Sequence, residues 1–255
     1  DRRARPPGPP SSIGMVRPLR LVPALAALLM LLAAPAARAD CPGAAEPCPY
    51  TASSQVGQVA GVLRFPQAVA VAGDGTVYVG DQSSHVVHVF NPDGSVRGVI
   101  GTPGRSAGQL SAVGSVAVGY GGLFVAEGLT NRVVRFTPDG RPLGSFGGVG
   151  GAAGQFRFGT GGGNAAAAGG GLALAGGFVY VADTGNDRLQ RMQVDGTSAT
   201  ELVPAGTLAN PRGIAVWGGR VFAADDQHHR VAVFDVTGRL VTSIGSQGNG
   251  PGQLS

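Results

Sequence analysis

The sequence predicts an all-β fold, namely a β-propeller of four-stranded antiparallel blades. The first observation is a stretch that occurs four times, in which an acidic residue follows the second predicted strand at steps of 46, 56 and 42 residues. These acids are Asp81, Glu127, Asp183 and Asp225. The second observation is a turn glycine thirteen residues after each acid, at Gly94, Gly140, Gly196 and Gly238. A repeat of about 40–45 residues with short strands is typical of propeller blades.

The first unit shows how each blade is read. Strands are predicted at residues 68–71, 76–79, 86–90 and 96–100, and residues 77–79 and 87–89 alternate with the period of two that a half-buried strand shows. Glycine, proline and aspartate fill residues 73–75 and 92–94, which predicts turns between the strands.

The residues after the third repeat's second strand carry a family resemblance. Residues 179–190 read VYVADTGNDRLQ, and a Gly-Gln pair opens several units, at residues 57–58, 108–109, 154–155 and 252–253. This pattern resembles the NHL repeat over about residues 57–255. The chain departs from it where Val86 replaces an arginine, where repeat four lacks the Gly-Gln pair and where repeat three is stretched. No Gly-His or Trp-Asp signature supports a WD-type propeller instead.

The repeat also predicts the boundaries of the blades. We place the propeller at residues 57–255, with a fifth blade beginning at 251; the four preceding blades span about 57–101, 102–148, 149–206 and 207–250. Six blades are usual in rings that resemble NHL proteins. The chain is therefore predicted to be a fragment of a six-bladed propeller.

The N-terminal residues predict export. Residues 1–14 are rich in proline and arginine and are read as disordered or as upstream read-through before Met15. Residues 15–39 read as a signal peptide, with a basic start, an apolar run at 21–34 and a small-x-small cleavage site ending at Ala39. A transmembrane anchor is the alternative, but prolines interrupt and bound the short apolar run. The predicted location is secreted, periplasmic or at the cell surface, with no membrane span after cleavage.

Residues 40–56 are predicted to be a linker that contains the two cysteines of the chain. Cys41 and Cys48 lie close together, and a cysteine pair in an exported protein predicts a local disulfide. A metal site at this pair is disfavoured, because no histidine and no second cysteine pair are nearby.

Charge argues against a nucleic-acid partner. All 19 basic residues are arginine, which is typical of a GC-rich, bacterial genome, and six of them precede residue 40. The remaining 13 arginines meet 14 acidic residues, so the body is almost neutral. The glycine-rich residues 161–170 are read as a loop, because a phosphate-binding loop needs a strand-to-helix context that is missing there.

Three acid–arginine pairs recur where the second strand ends and the third begins. They are Glu127 with Arg132, Asp183 with Arg188, and Asp225 with Arg230. Because the pair recurs from blade to blade, we interpret it as part of the architecture rather than as an active site.

The loop between these strands supplies the candidate binding residues. One position, four residues after the acid, holds a polar side chain in every unit, and the loop lies on one rim of the propeller. The candidates for binding are Asp81, His85, Asn131, Asp187, His228 and His229.

Two functions remain open on the sequence alone. The favoured one is a binding or scaffold module that contacts a protein, peptide or glycan through its rim loops and uses no cofactor. The alternative is a propeller enzyme of the lactonase or lyase type, as the resemblance to other six-bladed propellers implies. Calcium or zinc would then lie on the axis, held by residues such as His85, Asp226 and His229. No order of Ser, His and Asp residues stands out in the sequence to support nucleophilic catalysis.

Overall fold

The computed structural model describes residues 62–159 and 170–254. The predicted leader (1–14), signal peptide (15–39) and linker (40–56), with Cys41 and Cys48, lie outside the described residues, as does most of the 161–170 loop. Among the residues that are described, none forms a helix long and apolar enough to cross a bilayer.

The described chain forms four antiparallel sheets of four strands each, which confirms the predicted blades. In chain order the strands are β1 Pro66–Val71, β2 Val77–Asp81, β3 Val86–Phe90, β4 Val96–Ile100, β5 Thr102–Pro103, β6 Gln109–Leu110, β7 Val113–Gly119, β8 Gly122–Glu127, β9 Arg132–Phe136, β10 Pro142–Gly147, β11 Leu172–Ala175, β12 Phe178–Asp183, β13 Arg188–Gln193, β14 Thr200–Val203, β15 Pro211–Trp217, β16 Arg220–Asp225, β17 Arg230–Asp235 and β18 Leu240–Ile244. Blade 1 is β1–β4, blade 2 is β7–β10, blade 3 is β11–β14 and blade 4 is β15–β18, with β5 and β6 in a connecting loop.

The predicted bounds of two strands in blade 1 need correction. Strands β3 and β4 have the predicted ends, but β1 begins at Pro66 rather than at residue 68, and β2 spans Val77–Asp81 rather than residues 76–79. The early start of β1 was missed because its register shifts between Pro66 and Ala68, which breaks the alternation.

Backbone geometry explains the turn residues. The hairpins between the first two strands of blades 2, 3 and 4 have two-residue loops with positive φ at both positions, as in the Gly218–Gly219 turn (57° and 71°). Such turns match the twist of the flanking strands and favour glycine. The turn glycine between the third and fourth strands also has positive φ in every blade, from 85° to 97°.

The core lies between the blades. Three buried apolar clusters each combine side chains of two consecutive blades: blades 1 and 2, blades 2 and 3, and blades 3 and 4. The large apolar residue of the third strand, nine positions after each acid, is fully buried in every blade. These residues are Phe90, Phe136, Met192 and Phe234. Each blade is therefore stabilised mainly by its neighbours along the chain.

The Gly-Gln motif forms a loop of one kind after blades 1, 2 and 4. The side-chain Oε1 of Gln109 accepts the N–H of Ser106, and Gln155 and Gln253 make the same bond to residues 152 and 250. The next side chain then packs between blades: Leu110 and Phe156 are fully buried. In the link to blade 4, which has no Gly-Gln pair, the buried Leu208 joins the core of blades 3 and 4.

Candidate functional site

The four repeat acids are completely buried at the ends of the second strands. They are Asp81, Glu127, Asp183 and Asp225. Each carboxylate accepts a backbone N–H from the segment that leads into the first strand of its own blade. The donors are Arg64 and Phe65 in blade 1, Ser111 in blade 2, Arg157 in blade 3 and Ala209 in blade 4. The acids thus fasten each blade's incoming chain to its second strand.

Hydrogen-bond donors lower the pKa of two of these buried carboxylates, Asp81 and Asp225. Burial alone would raise the pKa of Asp81, but the N–H groups of Ser84, Arg64 and Phe65 outweigh that effect and leave the pKa below its ordinary value. The pKa of Asp225 is also lowered: burial raises it, and the Ala209 N–H leads the donors that lower it more strongly.

The paired arginines join the same acids to the loop that enters the blade. The guanidinium Nε donates to the acid at 2.8 Å in the Asp183–Arg188 pair and at 2.7 Å in the Asp225–Arg230 pair; Arg132 donates likewise to Glu127. The other guanidinium nitrogens of Arg188 donate to three loop carbonyls, those of residues 151, 152 and 155, at 2.8 to 3.0 Å. Arg188 is itself buried. These bonds hold the incoming loop in place.

The predicted binding position connects one blade to the next. His85, Asn131 and Asp187 adopt left-handed backbone conformations with φ between 52° and 58°. Each side chain accepts a backbone N–H ahead of the next blade's first strand: Ala112 to His85 Nδ1 at 2.9 Å, Phe158 to Asn131 at 2.7 Å, and Asn210 to Asp187 at 2.7 Å. We call these bonds the blade clamps. The residues' role in ligand binding stays a prediction.

Blade 4 carries the remaining predicted residues. His229 has the same left-handed conformation (51°), and its side chain has no hydrogen-bond partner within the described ranges. His228 Nδ1 lies 2.8 Å from Asp225 Oδ2. In the described parts of the chain, no three His, Cys, Asp or Glu side chains are grouped so that they could hold a metal ion. The predicted residues of blade 1 and of blade 4 therefore do not form one metal-binding cluster among the described residues. In blade 1 these are Asp81 and His85, and in blade 4 they are Asp225, His228 and His229.

A cavity of about 390 Å³ lies where the first strands of the blades meet. Strand β1 contacts β7, β7 contacts β11, and β11 contacts β15, so the open cavity is lined by the first strands of the four blades, which lie nearest the axis. Glycines line much of its wall, at Gly114, Gly171 and Gly213. A Cβ atom at Gly171 would collide with the carbonyl oxygen of Arg212, so close approach of β15 explains that glycine.

Three polar side chains line this axial cavity: Gln67, Ser115 and Arg212. Sequence reasoning did not select them, because they lie at or beside irregularities of strand register that alternation does not reveal. The signal in the sequence was weak: a glutamine, a serine and an arginine stand in otherwise apolar and glycine-rich strands.

Arg212 connects the cavity to the rim of blade 4. Its Nε donates to Asp226 Oδ2 at 3.0 Å, and both side chains are nearly half exposed. The same oxygen accepts from Asn210 Nδ2 at 2.7 Å. Asn210 is buried, and its Oδ1 has no hydrogen-bond partner. Arg212 therefore links the wall of the axial cavity to the rim loop of this blade by a side-chain hydrogen bond.

Comparisons with known proteins support the fold. Residues 206–254 match a family described as a 6-bladed beta-propeller. No curated protein matches the chain.

Solved propeller structures are similar in shape at low identity. A catalytically inactive virginiamycin B lyase from Staphylococcus aureus, solved with quinupristin, has a TM-score of 0.53 and 15% identity over 70% of this chain and 55% of that one. A streptogramin B lyase has a TM-score of 0.53 and 15% identity over 71% and 58%. The hydrazine synthase of Kuenenia stuttgartiensis has a TM-score of 0.51 and 16% identity over 73% and 51%.

The chain thus spans between half and three fifths of the length of these structures. At such identities the likeness establishes the fold and leaves activity open. The described chain is a β-propeller of four-stranded antiparallel blades, and the matching family description indicates a ring of six.

Proposed function

We propose that this chain is part of an exported, NHL-type β-propeller that works as a binding module for a protein, peptide or glycan. The ligand contacts the axial cavity and the adjoining rim loops. One observation carries the proposal: the polar side chains of the rim are largely used in joining blades, whereas the axial cavity keeps polar groups that face open space. A rigid ring with a polar cavity suits recognition.

The enzyme alternative, with a divalent metal on the axis, finds less support in the same geometry. His85 Nδ1 is occupied by the N–H of Ala112, so a metal at that nitrogen would have to displace a blade clamp. Metal analysis of a chelator-free preparation separates the two functions. The binding module is expected to contain no stoichiometric calcium or zinc; a bound metal that is lost when His85 and His229 are replaced supports the enzyme.

A plugged cavity tests the proposal directly. Gln67 is exposed and lines the cavity, so Gln67→Trp is expected to fill the space without disturbing the core. The matched control is Arg220→Trp, which places the same ring at another exposed position outside the cavity lining.

The readout is binding of both variants and the parent chain to peptide and glycan arrays. We expect Gln67→Trp to lose the binding that the parent and Arg220→Trp retain. Equal binding by all three chains contradicts the axial site, and binding of none contradicts the binding module.

A further inference from the structure

The first strands of the four blades lie nearest the propeller axis, and their polar residues are concentrated at the axial cavity. Strands β1, β7, β11 and β15 read PQAVAV, VGSVAVG, LALA and PRGIAVW. Gln67, Ser115 and Arg212 are their only polar side chains, and all three line the axial cavity. A purely structural strand has no need of polar groups there, because its hydrogen bonding is satisfied by the backbone.

Register shifts explain why these side chains reach the axis. The pairing of β1 skips Gln67, that of β15 skips Arg212 and Gly213, and that of β7 skips the residue just before Ser115. Bulges of this kind turn a side chain away from the regular alternation and are frequent beside functional sites. Blades 1, 2 and 4 therefore each direct one polar group towards the same space.

The positive charge of Arg212 at the axial cavity is held in a defined orientation. Asp226 Oδ2 accepts from Arg212 Nε, and the same oxygen accepts from Asn210. Both terminal nitrogens of the Arg212 guanidinium have no partner among the described residues. A guanidinium that is fixed through one nitrogen can still offer its planar edge to a carboxylate.

The other two groups are also donors. Ser115 Oγ accepts the N–H of Leu172 at 3.1 Å, which leaves its hydroxyl hydrogen free to donate. The side-chain amide of Gln67 has no partner in the described part of the chain and supplies two N–H donors. The residues that line the cavity include one positive charge and no acid. The chemistry of the wall is thus complementary to an oxyanion.

We propose that the axial cavity binds a carboxylate group of its ligand, with Arg212 as the principal contact and Gln67 and Ser115 as further donors. Asp226 acts as a positioning residue for the guanidinium. This inference rests on the proposed function, because it assigns chemistry to the cavity where the ligand is expected. At about 390 Å³ the cavity has room for a peptide C-terminus or a uronic acid, which share the carboxylate.

The test uses matched probes that differ only in charge. Trialanine is compared with its C-terminal amide, and glucuronate with glucose, by NMR titration of the ¹⁵N-labelled chain. We expect at least one of the two acids to bind at least tenfold more tightly than its uncharged counterpart and to shift the side-chain signals of Arg212 and Gln67. Inorganic phosphate is the third probe; if it binds more tightly than both acids, the site selects phosphate and the carboxylate assignment is overturned.

Variants then test whether Arg212 is the principal contact of the carboxylate. Arg212→Gln is expected to weaken binding of the acid at least tenfold, and Arg212→Lys, which keeps the charge but loses the planar edge, to weaken it severalfold. Arg220→Gln, an exposed arginine outside the cavity, is the control and is expected to bind like the parent. Matching spectra away from the cavity show that each variant is folded.

The outcomes separate this inference from the proposed function. If acids and uncharged probes bind equally and Gln67→Trp abolishes both, the cavity is a binding site but the carboxylate inference fails. If the arrays find a ligand whose binding Gln67→Trp removes while no acid binds at 50 mM, the inference fails in the same way. If neither arrays nor probes show binding, both proposals fail.

Discussion

Replacing Asp183 by asparagine tests the fastening of a blade most sharply. The carboxylate is fully buried and accepts from the Arg157 N–H at 2.7 Å, from Arg188 Nε at 2.8 Å, and from Asn186 and Gln190 at 2.9 Å each. Asparagine has the same shape but carries no charge and turns one acceptor oxygen into a donor. Arg188 then remains buried without its closest counter-ion.

The expected loss follows from that uncompensated charge. Removing one partner of a buried ion pair costs about 3–5 kcal/mol. Glu201 stays 3.0 Å from Arg188 Nη1, but it is partly exposed, so we expect the lower end, about 3 kcal/mol. With a urea dependence of about 2–3 kcal/mol per molar for a chain of this size, the unfolding midpoint falls by about 1 M.

Urea unfolding followed by circular dichroism measures the effect. The control is Asp195→Asn, in an exposed turn of the same blade, where the carboxylate accepts from Thr197. Its midpoint is expected to stay near that of the parent. If Asp183→Asn costs less than about 1 kcal/mol, the buried pair does not fasten the blade as argued.

Three further predictions concern stability. Burial lowers the pKa of His88 below 6.5, so the folded state resists protonation of this side chain. The folding stability is therefore expected to fall as the pH drops through 6.5. Replacing His88 by valine is expected to reduce the change in urea midpoint between pH 7.5 and 5.5. Gly238→Ala places a Cβ atom against the carbonyl oxygen of Leu202 at φ +90° and is expected to lower the free energy of unfolding in urea by about 2 kcal/mol or more. The control is Gly218→Asn, in an open turn, which is expected to be tolerated. Equal losses of stability in the two variants contradict this prediction. Asp187→Ala removes a blade clamp and is expected to cost about 1 kcal/mol, while Asp187→Asn, which keeps an acceptor oxygen, is expected to be nearly neutral in the same assay.

The repeat could be predicted from sequence because its signals are local. An acid such as Asp183 and an arginine such as Arg188 are five residues apart, and strand pairing places them opposite each other. The turn glycines and the alternating strands are equally local, so the blades and their order followed from spacing.

The partners of the blade clamps could not be predicted in this way. His85 bonds to a backbone amide 27 residues later, and Asp187 to one 23 residues later, in the approach to another sheet. A polar residue in a loop suggests binding when that partner is unknown. The left-handed conformation they share does favour Asn and Asp, and that preference was the available hint.

The axial residues were missed for a different reason. Gln67 lies in a bulge that the predicted strand did not include, and Arg212 stands two positions into a strand whose register shifts there. Periodicity assigns a face to each residue only while the register is regular. The polar groups of the cavity therefore became visible only once the four first strands were placed together.

Amide hydrogen exchange tests most directly whether polar rim residues join consecutive blades. The measurement is the exchange rate of the Ala112, Phe158 and Asn210 N–H groups, resolved by NMR. We predict that all three exchange slowly and that the Asn210 amide exchanges faster in Asp187→Ala. Exchange of the three amides as fast as that of exposed turn amides would contradict the account.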